Sequence, residues 1–182
     1  DADQFPFAYE IRTTLTAAEA FHRRQGNCLS FTNLFIALGR SLGIPVSMGL
    51  VLRVRSSEKE GDLIVVNNHV IAVYNTEGTT KYYDFDRSRR QRPADLREMD
   101  DLWITALYLN NRGAALRNLK RPEEALESLE RALQIKPDYA DALANRGNAL
   151  RDLKRPEEAL ESVEGALKID PDFAAAHWNE SL

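Results

Sequence analysis

"GNCLSFTNLFIALGRSLGIPV", Gly26 to Val46, contains the only cysteine of the 182-residue chain, placed directly after a Gly-Asn pair that suits a sharp turn. Leu29, Leu34, Phe35, Leu38 and Leu42 recur at helical spacing, which predicts a helix from about Cys28 to Leu42 with these side chains on its buried side and Gly43 as its stop. A cysteine alone is more often a small packed residue than a reactive one. In the first turn of a helix, unpaired N–H groups and the helix dipole favour a thiolate. The same N–H groups suit the negative oxygen of a tetrahedral intermediate.

Upstream, Thr16 and Glu19 have capping-box spacing and predict a short helix through Arg24, after which Gly26 lets the chain turn. Downstream, β-branched and aromatic residues predict strands over roughly Val46 to Arg55, Leu63 to Val66, His69 to Asn75 and Thr80 to Asp86. "HVIAVYN" and "TKYYDFD" flank "TEGT", a hairpin signal. His69 follows the turn-like Asn67-Asn68 and is placed to project from the end of a sheet, with Asp84 and Asp86 on one face of the next strand. A thiol, an imidazole and a carboxylate on these three elements are the groups that nucleophilic acyl transfer requires. Gln25 and Asn27 read either as oxyanion donors or as turn and cap residues. His22 and His177 read as exposed, and "RSRRQRPADLREMD", Arg87 to Asp100, as a charged connection.

From there on the pattern changes. Shifting the chain by 34 residues lays Ala106–Tyr139 over Ala140–Phe173 with 24 identities, and both copies contain "LKRPEEALES". Each copy reads as a helical hairpin with a close-packing glycine, Gly113 or Gly147, and a second helix opened by Pro122 or Pro156. Ala174 to Leu182 starts the pattern again, as a truncated third unit.

A hydrophobic content of 43% supports folded cores, and a formal charge of −4 gives no basic surface for nucleic acid. One cysteine precludes an internal disulfide, and the histidines and cysteine have no metal-ligand spacing, so neither a metal nor a cofactor is expected. No apolar run reaches transmembrane length. The expectation is a soluble protein of the cytoplasm or a bacterial cell envelope; Asp1 in place of Met points to a missing native start.

Two resemblances add to this reading. The repeats resemble the tetratricopeptide family, whose small-residue pair and late proline are met by Gly113, Ala125, Ala132 and Pro137, and again by Gly147, Ala159, Ala166 and Pro171. "GNCLSFTNLFIALGRSLGIPV", "NNHVIAVY" and "KYYDFD" resemble the transglutaminase-like superfamily of papain-type folds. The resemblances imply an α+β core of helices on an antiparallel sheet over residues 1–100, then an all-α repeat array over 101–182. They imply Cys28 as nucleophile, His69 as base and Asp84, or alternatively Asp86, as orienting acid. Ile71 stands where many relatives carry an aromatic residue, which points away from a crosslinking enzyme's tunnel and toward the peptidases and amide hydrolases of bacterial relatives. In the array they imply a peptide-binding groove with Asn110, Asn111, Ala114, Arg117, Asn145, Asn148 and Arg151. The expected function is thiol-dependent acyl transfer, as peptidase, amidase or transglutaminase, with a protein or peptide partner on the repeats. The alternative is an inactive core serving as an adaptor.

Overall fold

The computed structural model describes residues 7–10, 13–60, 63–76, 78–85 and 96–171. They divide between two compact units, Asp1–Ser56 with Val66–Asp100 and Ser57–Val65 with Asp101–Leu182.

In the first unit a short strand β1 (Ala8–Tyr9) leads to helix α1 (Ala17–Arg23), strand β2 (Gln25–Gly26) and helix α2 (Cys28–Ser41). The Thr16 hydroxyl accepts the Glu19 N–H while the Glu19 carboxylate accepts the Thr16 N–H, so the predicted capping box is made. Arg24 ends α1 in the left-handed conformation, φ 54°. β1 runs parallel to β2, with Ala8 opposite Gln25 and Tyr9 opposite Gly26. This strap holds the turn that precedes Cys28.

The buried stripe of α2 is Leu29, Thr32, Ile36 and Gly39, with Ser30 and Phe31 beside it. Leu34 and Phe35 are half-buried, whereas Leu38 and Leu42 are 51% and 76% exposed, so the expected stripe is corrected by a rotation of the helix. Gly39 is the cause: a Cβ there would lie 2.7 Å from Val46 Cγ2, so only glycine lets the next strand approach this side.

The sheet contains β3 (Val46–Glu60), β4 (Leu63–Thr76), β5 (Thr79–Tyr83) and β6 (Leu96–Met99) in the order β5-β4-β3-β6. β4 and β5 are antiparallel, with Ala72 opposite Tyr83 and Thr76 opposite Thr79, and β3 and β6 are antiparallel, with Met48 opposite Met99. Val51, Ile71 and Val73 form a core to which Leu96 of β6 is added. The two strand segments expected around Asn67-Asn68 are one strand, so His69 lies within β4 and not at its start.

The second unit is helical: α3 (Asp101–Asn118), α4 (Pro122–Ile135), α5 (Ala140–Asp152) and α6 (Pro156–Ile169). Pro122 and Pro156 open α4 and α6 as expected, and Lys120 and Lys154 make the preceding turns with φ 60° and 58°. Gly113, Ala125, Ala132, Gly147, Ala159 and Ala166 are all buried at the contacts between helices. The Asn145 amide donates to the Asn110 carboxamide oxygen at 2.9 Å, tying one repeat to the next. The third unit falls outside the described residues, and among those described no helix is long and apolar enough to cross a membrane.

Candidate active site

The approach to Cys28 is built from backbone and small polar side chains. Ala8 N–H donates to Arg24 O at 2.8 Å, Glu10 N–H to Gly26 O at 2.9 Å and Asn27 N–H to Thr13 O at 3.1 Å. Asn27 caps α2: its Oδ1 accepts the Ser30 N–H at 3.0 Å, and its Nδ2 donates to Thr14 Oγ1 at 2.7 Å. Ser30, fully buried, accepts the Leu15 N–H on its hydroxyl at 2.8 Å. Neither Ser30 nor Thr13 and Thr14 stood out in the sequence, although Asn27 and Ser30 have cap spacing. The carboxamide of Asn27 thus takes part in this turn, as its cap reading expects. Gln25, half-buried on β2, remains a side-chain candidate for the oxyanion role.

Gly26 is the tightest point. Its φ of +154° disfavours any L side chain, and a Cβ would lie 2.6 Å from Ser30 Cβ. Gly26→Ala is expected to cost about 1–3 kcal/mol, seen as a lower thermal midpoint, because the clash falls on the Cβ of buried Ser30, which no rotamer change can move.

Cys28 begins α2, half-buried, where the helix N-terminus meets the sheet residue His69. His69 is 5% exposed. Its Nε2 lies 2.8 Å from Asp84 Oδ2. Continuing the β4–β5 register sets Asp84 across from Ile71, two residues from His69 on the same face, so the carboxylate reaches the ring diagonally. Burial alone would push the imidazole down. Hydrogen bonds to Asp84 and to Cys28, with the charges of both, outweigh it and raise the ring from 6.5 to about 9. His69 therefore stands between the thiol and the carboxylate. With Nε2 committed to Asp84, Nδ1 is the nitrogen left to face the sulfur.

Ile71 is 1% exposed and packed in the sheet core, so it lines no opening. His22 is exposed at the end of α1, near Phe21. Asp86, the alternative acid, lies outside the described residues, as do Arg87, Arg89, Arg90, Arg92 and His177. No group of three or more His, Cys, Asp or Glu side chains suited to a metal occurs among the described residues.

The expected groove residues divide in two. Asn110 is 4% exposed and engaged with Asn145 and with the Tyr139 hydroxyl, and Asn148 is 2% exposed; both are buried instead of displayed. Asn111, Ala114, Arg117, Asn145 and Arg151 are half-buried. Arg117 Nε pairs with Asp152 Oδ2 at 2.7 Å, and burial together with the Arg117 charge lowers Arg151 from the ordinary guanidinium range, against the pull of Asp152. The two arginines occupy equivalent positions of successive repeats.

Residues 4–86 match the family model of the transglutaminase-like superfamily, and residues 104–172 match that of the tetratricopeptide repeat. The chain therefore carries a transglutaminase-like region followed by tetratricopeptide repeats, an α+β core and then an all-helical array. No curated protein matches the chain.

Proposed function

We propose, on the premise of a transglutaminase-like core ahead of tetratricopeptide repeats, that this chain is a thiol-dependent acyl-transfer enzyme acting on amide bonds. In this reading residues 1–100 form the reacting domain and 101–182 the repeat domain that holds a protein or peptide partner. The observation that carries it is the buried His69 ring held by Asp84 on one side and hydrogen-bonded to Cys28 on the other.

Cys28, its proton already held by His69, attacks the carbonyl carbon as a thiolate, and Asp84 fixes the ring and stabilises the imidazolium. The carbonyl oxygen becomes an oxyanion, received by main-chain N–H groups at the start of α2 and the Gln25 side chain. His69 then protonates the leaving amine, the C–N bond breaks, and a thioester on Cys28 remains. Water or a second amine attacks the thioester, giving hydrolysis or transfer. Arg117 and Arg151 supply donors to the partner on the repeats.

The test is amine release from a panel of peptide amides and glutamine-containing peptides. Release by the wild-type chain and its loss in Cys28→Ala are expected. No release from any member would overturn the enzymatic reading and leave an adaptor.

Asp84→Asn probes the orienting acid through pH. Its carboxylate contributes to a folded-state value of about 9 against an ordinary 6.5 for His69. That contribution stabilises the fold fully below pH 6.5 and is lost as pH rises toward 9. In the variant burial gains weight, so the His69 titration followed by NMR is expected to move well below 9. The stability gap between wild type and variant should be widest below pH 6.5 and close above 9. A ring titrating at the same pH in both proteins would remove Asp84 from the proposed site.

A further inference from the structure

Six aromatic rings form a continuous belt beside Cys28. Cys28, Phe31 and Phe35 are spaced three and seven residues apart and so share one face of α2. Phe31 packs against Phe7 at 5.4 Å, Tyr9 at 6.3 Å and Phe85 at 6.2 Å between ring centroids. Phe35 packs against Tyr83 at 4.8 Å and Phe85 at 5.7 Å. The belt adjoins the candidate site along the chain at both ends: Tyr9 pairs with Gly26 in the strap before Cys28, and Tyr83 and Phe85 are the chain neighbours of Asp84.

These rings are not sealed in a core. Phe7, Tyr9 and Tyr83 are 40%, 39% and 38% exposed, and Phe35 and Phe85 are half-buried; Phe31 beneath them is buried. A ring costs free energy when left in water, and one more apolar group laid on the belt would remove part of that cost. The apolar surface runs from the strap, along the Cys28 face of α2, to the segment carrying Asp84. A chain whose carbonyl is presented to Cys28 therefore has this surface next to it.

We infer that the belt is a specificity subsite that takes an aromatic or large aliphatic side chain of the peptide substrate, next to the residue whose carbonyl Cys28 attacks. The inference rests on the acyl-transfer reading of the site and names the substrate class for it. The contribution is hydrophobic burial and ring stacking, so it selects for side-chain size and apolarity, and not for charge.

Affinity labelling tests it without requiring turnover. N-blocked Phe-Gly and Gly-Gly chloromethyl ketones, the phenylalanyl and glycyl reagents, differ only in the residue next to the one whose carbonyl meets Cys28, and both alkylate a thiol: a carbon–sulfur bond forms, chloride leaves and the thiol proton remains on His69. Iodoacetamide does the same chemistry with no side chain to place. The phenylalanyl reagent is expected to label wild-type Cys28 roughly tenfold or more faster than the glycyl reagent, once corrected for intrinsic reactivity. Tyr83→Ser is expected to reduce that ratio several-fold while the iodoacetamide rate stays within about twofold, with Phe7→Ser as the second variant should Tyr83→Ser fold poorly. Fast iodoacetamide labelling with equal rates for the two ketones would overturn the subsite and leave the acyl-transfer reading intact. Slow labelling by all three reagents, unaffected by His69→Ala, would overturn the acyl-transfer reading itself, and the subsite with it.

Discussion

Replacing His69 by alanine is expected to slow alkylation of Cys28 by iodoacetamide at pH 7 by roughly tenfold, and amide turnover by about a thousandfold or more. The two magnitudes differ because the imidazole does different work in each. In alkylation it only receives the thiol proton. In acyl transfer it must also hand that proton to the leaving amine and then activate the second nucleophile, so its loss is felt at each step. The ring is held by the 2.8 Å contact to Asp84 and by burial, which limits the orientations open to it. The variant's alkylation rate should climb with pH as an unassisted thiol's does. A His69→Ala protein that alkylates as fast as wild type at pH 7, with an unchanged melting temperature, would mean that the imidazole does not act on the sulfur.

The second large effect concerns the repeats. Gly113→Val is expected to destabilise the array by about 3 kcal/mol or more, lowering its melting temperature by roughly 12–24 °C. A Cβ at Gly113 would lie 2.5 Å from Leu129 Cγ and 2.9 Å from its Cδ2. Leu129 is fully buried, so its side chain has no open space to swing into. Gly165 supplies the contrast, since a Cβ there meets nothing closer than Leu143 at 3.5 Å. Gly165→Ala should therefore gain about 0.5–1 kcal/mol from helix propensity alone. Equal and small effects at both positions, read by circular dichroism melts, would show that the tight helix contact at Gly113 is not what the geometry indicates.

The elements legible in the sequence were those specified by their own residues. Thr16 and Glu19 announce α1, Gly26 and Asn27 announce the start of α2, and the Lys-Arg-Pro turns announce the repeat hairpins. The elements misread are those that neighbours decide. Asn67 and Asn68 have poor strand propensity and look like a turn, yet β4, which lies between β5 and β3 in the sheet, runs straight through them. Leu96 and Met99 enclose Arg97 and Glu98, so β6 shows no alternation and exists because β3 offers an edge to it. On α2, three leucines advertise one stripe, while the buried one includes Thr32 and Gly39, which no hydrophobic count would select.

The candidate site followed the same division. The three chemistry-bearing residue types could be read in order along the chain, and so could the hairpin that sets Asp84 near His69. The Ser30 contact and the β1 strap could not, because each joins segments more than a dozen residues apart, the first by a hydroxyl taking a backbone N–H and the second by backbone groups that every residue possesses.

The bond between Asn145 and Asn110 and the pairing of Arg117 with Asp152 join residues 35 positions apart, each reaching from one helical hairpin into its successor. Interactions of that kind have the range of a single unit, so the array behaves as a line of coupled springs whose stiffness resides at the joints. An interior unit is clasped on two sides and a terminal unit on one. Opening then begins at the ends and advances inward like an unzipping, and whatever a partner gains by spanning two hairpins it gains partly by closing the joint between them.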